Sequence, residues 1–160
     1  MTNTLALCQE LALMLRQQGQ MLTTAESCTG GLIAAACTDL AGSSEWFERG
    51  FVTYSNAAKT ELLGVPAALI RMHGAVSEPV VQAMALGAVA HSKAQVSVAV
   101  TGVAGPGGGS VEKPVGTVWF GWVTPDQLVS ECQYFDGDRT QVRAATVQYA
   151  LTRLLSLMQA

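Results

Sequence analysis

Apolar side chains recur at helical spacing over residues 4–18, where Leu5, Leu11, Leu13, Met14 and Leu15 stand among polar ones and Gly19 marks a stop. The run MLTTAE then predicts a short strand, and GLIAAACTDLAG predicts an alanine-rich helix that ends at Gly42. The stretch TAESCTGG, Thr24 to Gly31, therefore falls at a strand-to-helix junction. The second half of FERGFVTYS is β-rich and breaks where Ser55 or Asn56 can cap the helix AAKTELLG. Pro66 to Arg71 predicts a short helix, and SEPVVQAMALGAVAHSKA a longer one with Pro79 in its first turn. QVSVAVTG alternates as a strand does. A glycine-rich loop, TGVAGPGGGSVEKPVG, leads into two further β runs, TVWFGWVT and LVSECQYF, joined at the turn signal PDQ. Asp138 can cap the last helix with Gln141 three residues on, and Val147, Leu151, Leu154, Leu155 and Met158 form its apolar face.

Helices and strands thus alternate through the first three strands, and a hairpin follows. That order predicts an α/β protein, a single three-layer α/β/α domain with a mixed sheet spanning residues 1–160. A chain of this length buries roughly 68–70% of its unfolded surface, so the fold needs neither disulfide nor metal.

Composition narrows the function. Hydrophobic residues make up 49% of the chain, yet much of that is alanine, and no apolar run approaches the length of a membrane span. The first twenty residues lack the basic start of a signal peptide, so a cytoplasmic protein without a membrane partner is expected. Cys8, Cys28, Cys37 and Cys132 form no CxxC pair, and His73 and His91 are far from them in sequence; reduced thiols and no metal site are expected. A net charge of −3 and the lack of any basic run argue against nucleic acid as a partner. The apolar β runs around Trp119 to Trp122 and the alanine-rich helices would suit a homodimer as well as a monomer's core.

The junction motif carries the candidate chemistry. Ser27 stands where a helix should begin, so its hydroxyl can cap the first turn or act as a nucleophile with the N–H groups of Cys28 to Gly31 stabilising an oxyanion. Gly30 and Gly31 would let a ligand approach the backbone. Cys28 is the rival nucleophile, ranked lower because neither histidine lies in a segment that meets it. Lys59, in the first turn of the helix after FVTYS, faces a helix dipole that disfavours its charge, so a neutral amine able to deprotonate Ser27 is physically reasonable, with Tyr54 relaying or holding the proton. The loop holding Thr101, Gly102, Ala104 and Gly105 suggests recognition by backbone amides, although its spacing matches neither a P-loop nor GxGxxG. Arg139 and Arg143, four apart on the last helix, share a face that can grip a phosphate or carboxylate. Glu26, Asp136 and Asp138 are candidate orienting groups.

Together TAESCTGG, AGSSEWFERGFVTYSNAAK, HGAVSEP, TGVAGPGGGSVEKPVGTVW and FDGDRTQVR resemble the CinA C-terminal-domain family over nearly the whole chain. Two positions depart from its pattern: Thr101 where serine is frequent, and Gly107 where an acidic residue is frequent, the second expected to loosen the loop. The resemblance implies hydrolysis of the carboxamide of nicotinamide mononucleotide (NMN) to nicotinic acid mononucleotide and ammonia, with no cofactor. It implies Ser27 as nucleophile, Lys59 as base and Tyr54 assisting, with Glu26, Cys28, Thr29, Gly30, Gly31, Thr101, Gly102, Ala104, Gly105, Arg139 and Arg143 around the substrate. Two rival readings are a non-catalytic pyridine-nucleotide-binding module and a Ser–Lys hydrolase of another amide.

Overall fold

The computed structural model describes residues 3–160. Five strands form one sheet: β1 (Leu22–Glu26), β2 (Phe47–Val52), β3 (Val96–Gly102), β4 (Thr117–Thr124) and β5 (Gln127–Tyr134). Their order is β2-β1-β3-β4-β5, with β2, β1 and β3 parallel and β4 and β5 antiparallel. Helices α1 (Thr4–Gln18), α2 (Leu32–Thr38) and α6 (Arg139–Gln159) pack on one face, and α3 (Asn56–Leu63), α4 (Ala67–His73) and α5 (Glu78–Ala90) on the other. The expected three-layer architecture with a mixed sheet is what is observed.

Local chemistry accounts for most boundaries. Asn3 caps α1 by accepting from the Leu5 N–H at 2.9 Å. Asp138 and Gln141 form a reciprocal capping box at the start of α6, whose residues Val142, Leu151 and Leu154 are fully buried against the sheet. β3 is buried along nearly its whole length, as a central strand covered on both faces should be. Helix α3 lies close on α5, because Gly87 leaves room for the Leu63 carbonyl where any Cβ would overlap it.

Helix α2 departs from expectation at both ends. It begins at Leu32 rather than near Ser27, because Gly30 and Gly31 take left-handed backbone angles, φ +59° and +110°, that no helix accommodates. It ends at Thr38, whose hydroxyl bonds back to the Ala34 carbonyl at 2.8 Å; a separate 3₁₀ turn, Ser43–Glu45, follows before β2.

The carboxyl ends of β1, β2 and β3 open on the same edge of the sheet, beside the point where the chain, having stepped from β1 to β2, reverses to place β3 on the other side of β1. In open α/β sheets this is where ligands bind.

Candidate active site

Ser27 directly follows β1, and its N–H donates to the Val100 carbonyl of β3 at 3.1 Å, which fixes the backbone of the residue. Across β1, the chain leaving β2 reaches Thr53 and Tyr54 and then enters α3, capped by the Ser55 hydroxyl at the Ala58 N–H. One helical turn on, Lys59 returns its side chain to this junction. Its Nζ donates to Ser27 Oγ at 3.0 Å, to the Thr53 carbonyl at 3.1 Å and to the Tyr54 carbonyl at 3.2 Å.

Lys59 is only 1% exposed and makes no ion pair among the described residues. Burial therefore lowers the amine's pKa from its ordinary value, against a smaller opposing effect of Cys28. The hydrogen-bond partners serve both protonation states. An ammonium has three donors for three oxygens; a neutral amine keeps two N–H bonds to the carbonyls and turns its lone pair to the Ser27 hydroxyl. A proton can thus pass between the two side chains without stranding a buried polar atom.

Glu26, on the other side of Ser27, does not face the cavity. It is 1% exposed and accepts from the Ile33 N–H at 2.8 Å, the Ala34 N–H at 3.0 Å and the Thr29 hydroxyl. Gly31 at the helix start has no side chain to cap with, so a carboxylate from the strand caps α2 in its place. Arg143 ties the same loop from outside, donating to the Cys28 carbonyl at 3.1 Å and the Thr29 carbonyl at 3.2 Å. Gly30 N–H turns inward to the Ser27 carbonyl. The N–H groups of Cys28 and Thr29 have no acceptor among the described residues, and of the two residues only Cys28 lines the cavity beside Ser27.

These elements enclose a cavity of about 230 Å³. Of the residues singled out from the sequence, Ser27, Cys28, Tyr54 and Lys59 line it from one side, and Thr101, Gly102, Ala104 and Arg139 from the other. Glu26, Thr29, Gly30, Gly31, Gly105 and Arg143 do not; they hold its walls. The two arginines do not act as one clamp: Arg139 donates to the Gly105 carbonyl at 2.8 Å and lines the cavity, whereas Arg143 is spent on the Ser27 loop. The Thr101 hydroxyl is likewise engaged, donating to the Ala75 carbonyl at 3.0 Å. The Tyr54 phenol faces Arg139 Nη2 at 3.4 Å rather than the Ser27–Lys59 pair, which meets only the carbonyl of that residue. Burial pushes the Cys28 thiol up to about 11, the opposite of an activated nucleophile. Three wall residues, Asn56, Ala75 and Val76, were missed. In the sequence Asn56 stands as a cap candidate, and HGAVSEP carries Ala75 and Val76 with no chemistry to flag them.

A three-layer mixed sheet with a buried serine and lysine hydrogen-bonded at its parallel strand ends defines the class, and the chain belongs to the CinA C-terminal domain family, whose model matches residues 4–158. It is 55% identical over 147 residues to "Nicotinamide-nucleotide amidohydrolase PncC" of Enterobacter agglomerans, covering 91% of this chain and 90% of that protein. To the protein of the same name from Pseudomonas putida it is 58% identical over 143 residues, covering 89% of each. The crystal structure of competence/damage inducible protein CihA from Agrobacterium tumefaciens superposes with a TM-score of 0.94 at 45% identity, covering 98% of this chain and 96% of that one.

Proposed function

We propose that this protein is a nicotinamide-nucleotide amidohydrolase that converts NMN and water to nicotinic acid mononucleotide and ammonia, with Ser27 as nucleophile and Lys59 as its base. The observation that carries this reading is the 3.0 Å hydrogen bond between the buried Lys59 amine and Ser27 Oγ in a cavity at the strand ends. The family and its amidohydrolase relatives support the substrate.

Neutral Lys59 takes the Ser27 proton as Oγ attacks the carboxamide carbon. The oxyanion forms beside Ser27, where the Cys28 N–H, which has no acceptor among the described residues, is the candidate donor. Lys59 returns its proton to the amide nitrogen, the C–N bond breaks and ammonia leaves. A water then gives its proton to Lys59 and its oxygen to the acyl carbon, and Ser27 recovers its hydroxyl. Tyr54 serves this cycle through its carbonyl. Arg139, the one arginine on the cavity wall, is placed to meet the phosphate by exchanging its Gly105 contact. We place no metal in the cycle, since the walls carry Cys28 as the only thiol and no carboxylate or imidazole.

The test is ammonia release from NMN in EDTA, with the product identified chromatographically. Ser27→Ala and Lys59→Ala should each lower turnover by at least ~10³-fold while keeping the fold. Equal turnover in wild type and Ser27→Ala would sink the assignment, and zinc-restored activity after chelation would sink its metal independence.

A further inference from the structure

The phenol of Tyr54 has no part in the proton path, which leaves a large aromatic ring unexplained at the mouth of the cavity. Its backbone is fixed at the reacting pair, since its carbonyl accepts from both Lys59 and Ser27. Its side chain, nevertheless, is 61% exposed. It joins none of the aromatic pairs in the structure, which link Trp46 with Phe47 and group Phe120, Trp122, Phe135 and Tyr149. Both faces of the ring are therefore free of aromatic neighbours, and the hydroxyl has one long contact, to Arg139.

The charge of the walls gives the ring a purpose. None of the cavity-lining residues is acidic, while Lys59 and Arg139 are basic. The carbonyls of Thr53 and Tyr54 are occupied by Lys59, and the Glu26 carboxylate is turned to α2. The nicotinamide ring of NMN is an N-alkylated pyridinium carrying a full positive charge. Such a cation, brought beside the Arg139 guanidinium and the Lys59 amine, neutral before it takes the Ser27 proton, with no carboxylate to meet it, needs another source of negative potential. Tyr54 is the only aromatic side chain on the walls, and the face of its ring supplies that potential.

We infer that Tyr54 is a specificity-determining residue whose ring stacks on the substrate's pyridinium and selects the cationic ring over a neutral one of the same shape. This rests on the carboxamide-hydrolysis reading for the identity of the ligand.

The experiment compares NMN with its reduced 1,4-dihydropyridine form, which keeps the carboxamide, ribose and phosphate but is neutral at the ring. Binding is measured calorimetrically on Ser27→Ala protein, and steady-state turnover of NMN on the protein with Ser27 intact. Replacing Tyr54 by leucine should weaken NMN binding, and raise its KM, by about 5- to 30-fold, with kcat changed less than the KM. Binding of the dihydro form should fall by no more than about 3-fold. Tyr54→Phe keeps the ring and gives up only the contact to Arg139, so it should restore most of the preference. Equal weakening of both ring forms by the leucine variant overturns the inference; so does a kcat loss above ~100-fold in Tyr54→Phe, which is the mark of a proton relay. Should the leucine variant melt before assay temperature, Tyr54→Met answers the same question. If wild type releases no ammonia from NMN, the hydrolysis reading falls, while the two ring forms on Ser27→Ala still decide the role of Tyr54. Failure of both wild type and Ser27→Ala to bind NMN at all overturns both.

Discussion

Replacing Glu26 by glutamine changes two atoms' chemistry and almost no volume, which makes it a clean test of how the Ser27 loop is held. The carboxylate, itself 1% exposed, accepts from the N–H groups of Ile33 and Ala34 and from the Thr29 hydroxyl, the Ile33 and Thr29 bonds being fully buried. Glutamine retains one acceptor oxygen, loses the other and turns an NH₂ toward groups that themselves donate. Losing one charge-assisted hydrogen bond costs about 1.5–3 kcal/mol. Losing the negative charge at the α2 N-terminus adds roughly 0.3–1 kcal/mol. The sum, about 2–4 kcal/mol, converts at roughly 2–4 °C per kcal/mol for a domain of this size into a fall in Tm of about 4–16 °C. Differential scanning calorimetry at neutral pH reads it directly. A shift below ~2 °C would mean that α2 does not depend on this cap, and the account of the loop given above would be wrong.

The lowered pKa of Lys59 fixes two further signs. If the neutral amine is the base, kcat/KM should rise with pH through a pKa below the ordinary lysine value, and a pH-independent rate up to pH 10 would contradict it. In stability, the unfolded chain holds the lysine proton more tightly than the folded one, so wild type should gain on Lys59→Met as pH rises from the folded pKa toward ~10.4; urea titrations at several pH values would expose a slope of the opposite sign. For the thiols, iodoacetamide at pH 8 should modify exposed Cys132 ahead of buried Cys28, whose pKa lies near 11; mass spectrometry showing Cys28 labelled first would reopen it as a nucleophile.

Much of the fold was legible because its signals are local. The helix stop at Gly19, the capping box of Asp138 and Gln141, the alternating run of β3 and the β run of β4 each depend on neighbours in the chain. The pairing of Ser27 with Lys59 was legible too, from a serine after one strand and a lysine one turn into the helix after the next. What escaped depends on groups that do not announce themselves in a side-chain alphabet. The cap of α2 comes from a strand residue, Glu26, five positions before the Gly31 N-cap, so Ser27 took the credit for a role it does not have. The sequence points to the Tyr54 phenol, whereas the atom that meets the Ser27–Lys59 pair is its carbonyl. Arg139 and Arg143 do share a face at i, i+4 spacing, but main-chain carbonyls from two different loops draw their guanidinium groups apart.

The pairing of β1 with β2 carries a consequence for how this protein acquires its chemistry. Glu26 lies opposite Val52, and the Thr53 N–H donates to the Glu26 carbonyl at 2.8 Å, so Ser27 and the two carbonyls that hold the Lys59 amine continue directly from one rung of the ladder. A slip of one residue would turn Ser27 to the other face, and a slip of two would carry it about 6–7 Å from Lys59. Every helix could be in place and Ser27 and Lys59 would still be apart. The Ser27–Lys59 pair is thus a vernier on the sheet, and, on the proposed mechanism, activity regained during refolding times the alignment of two strands rather than the appearance of secondary structure.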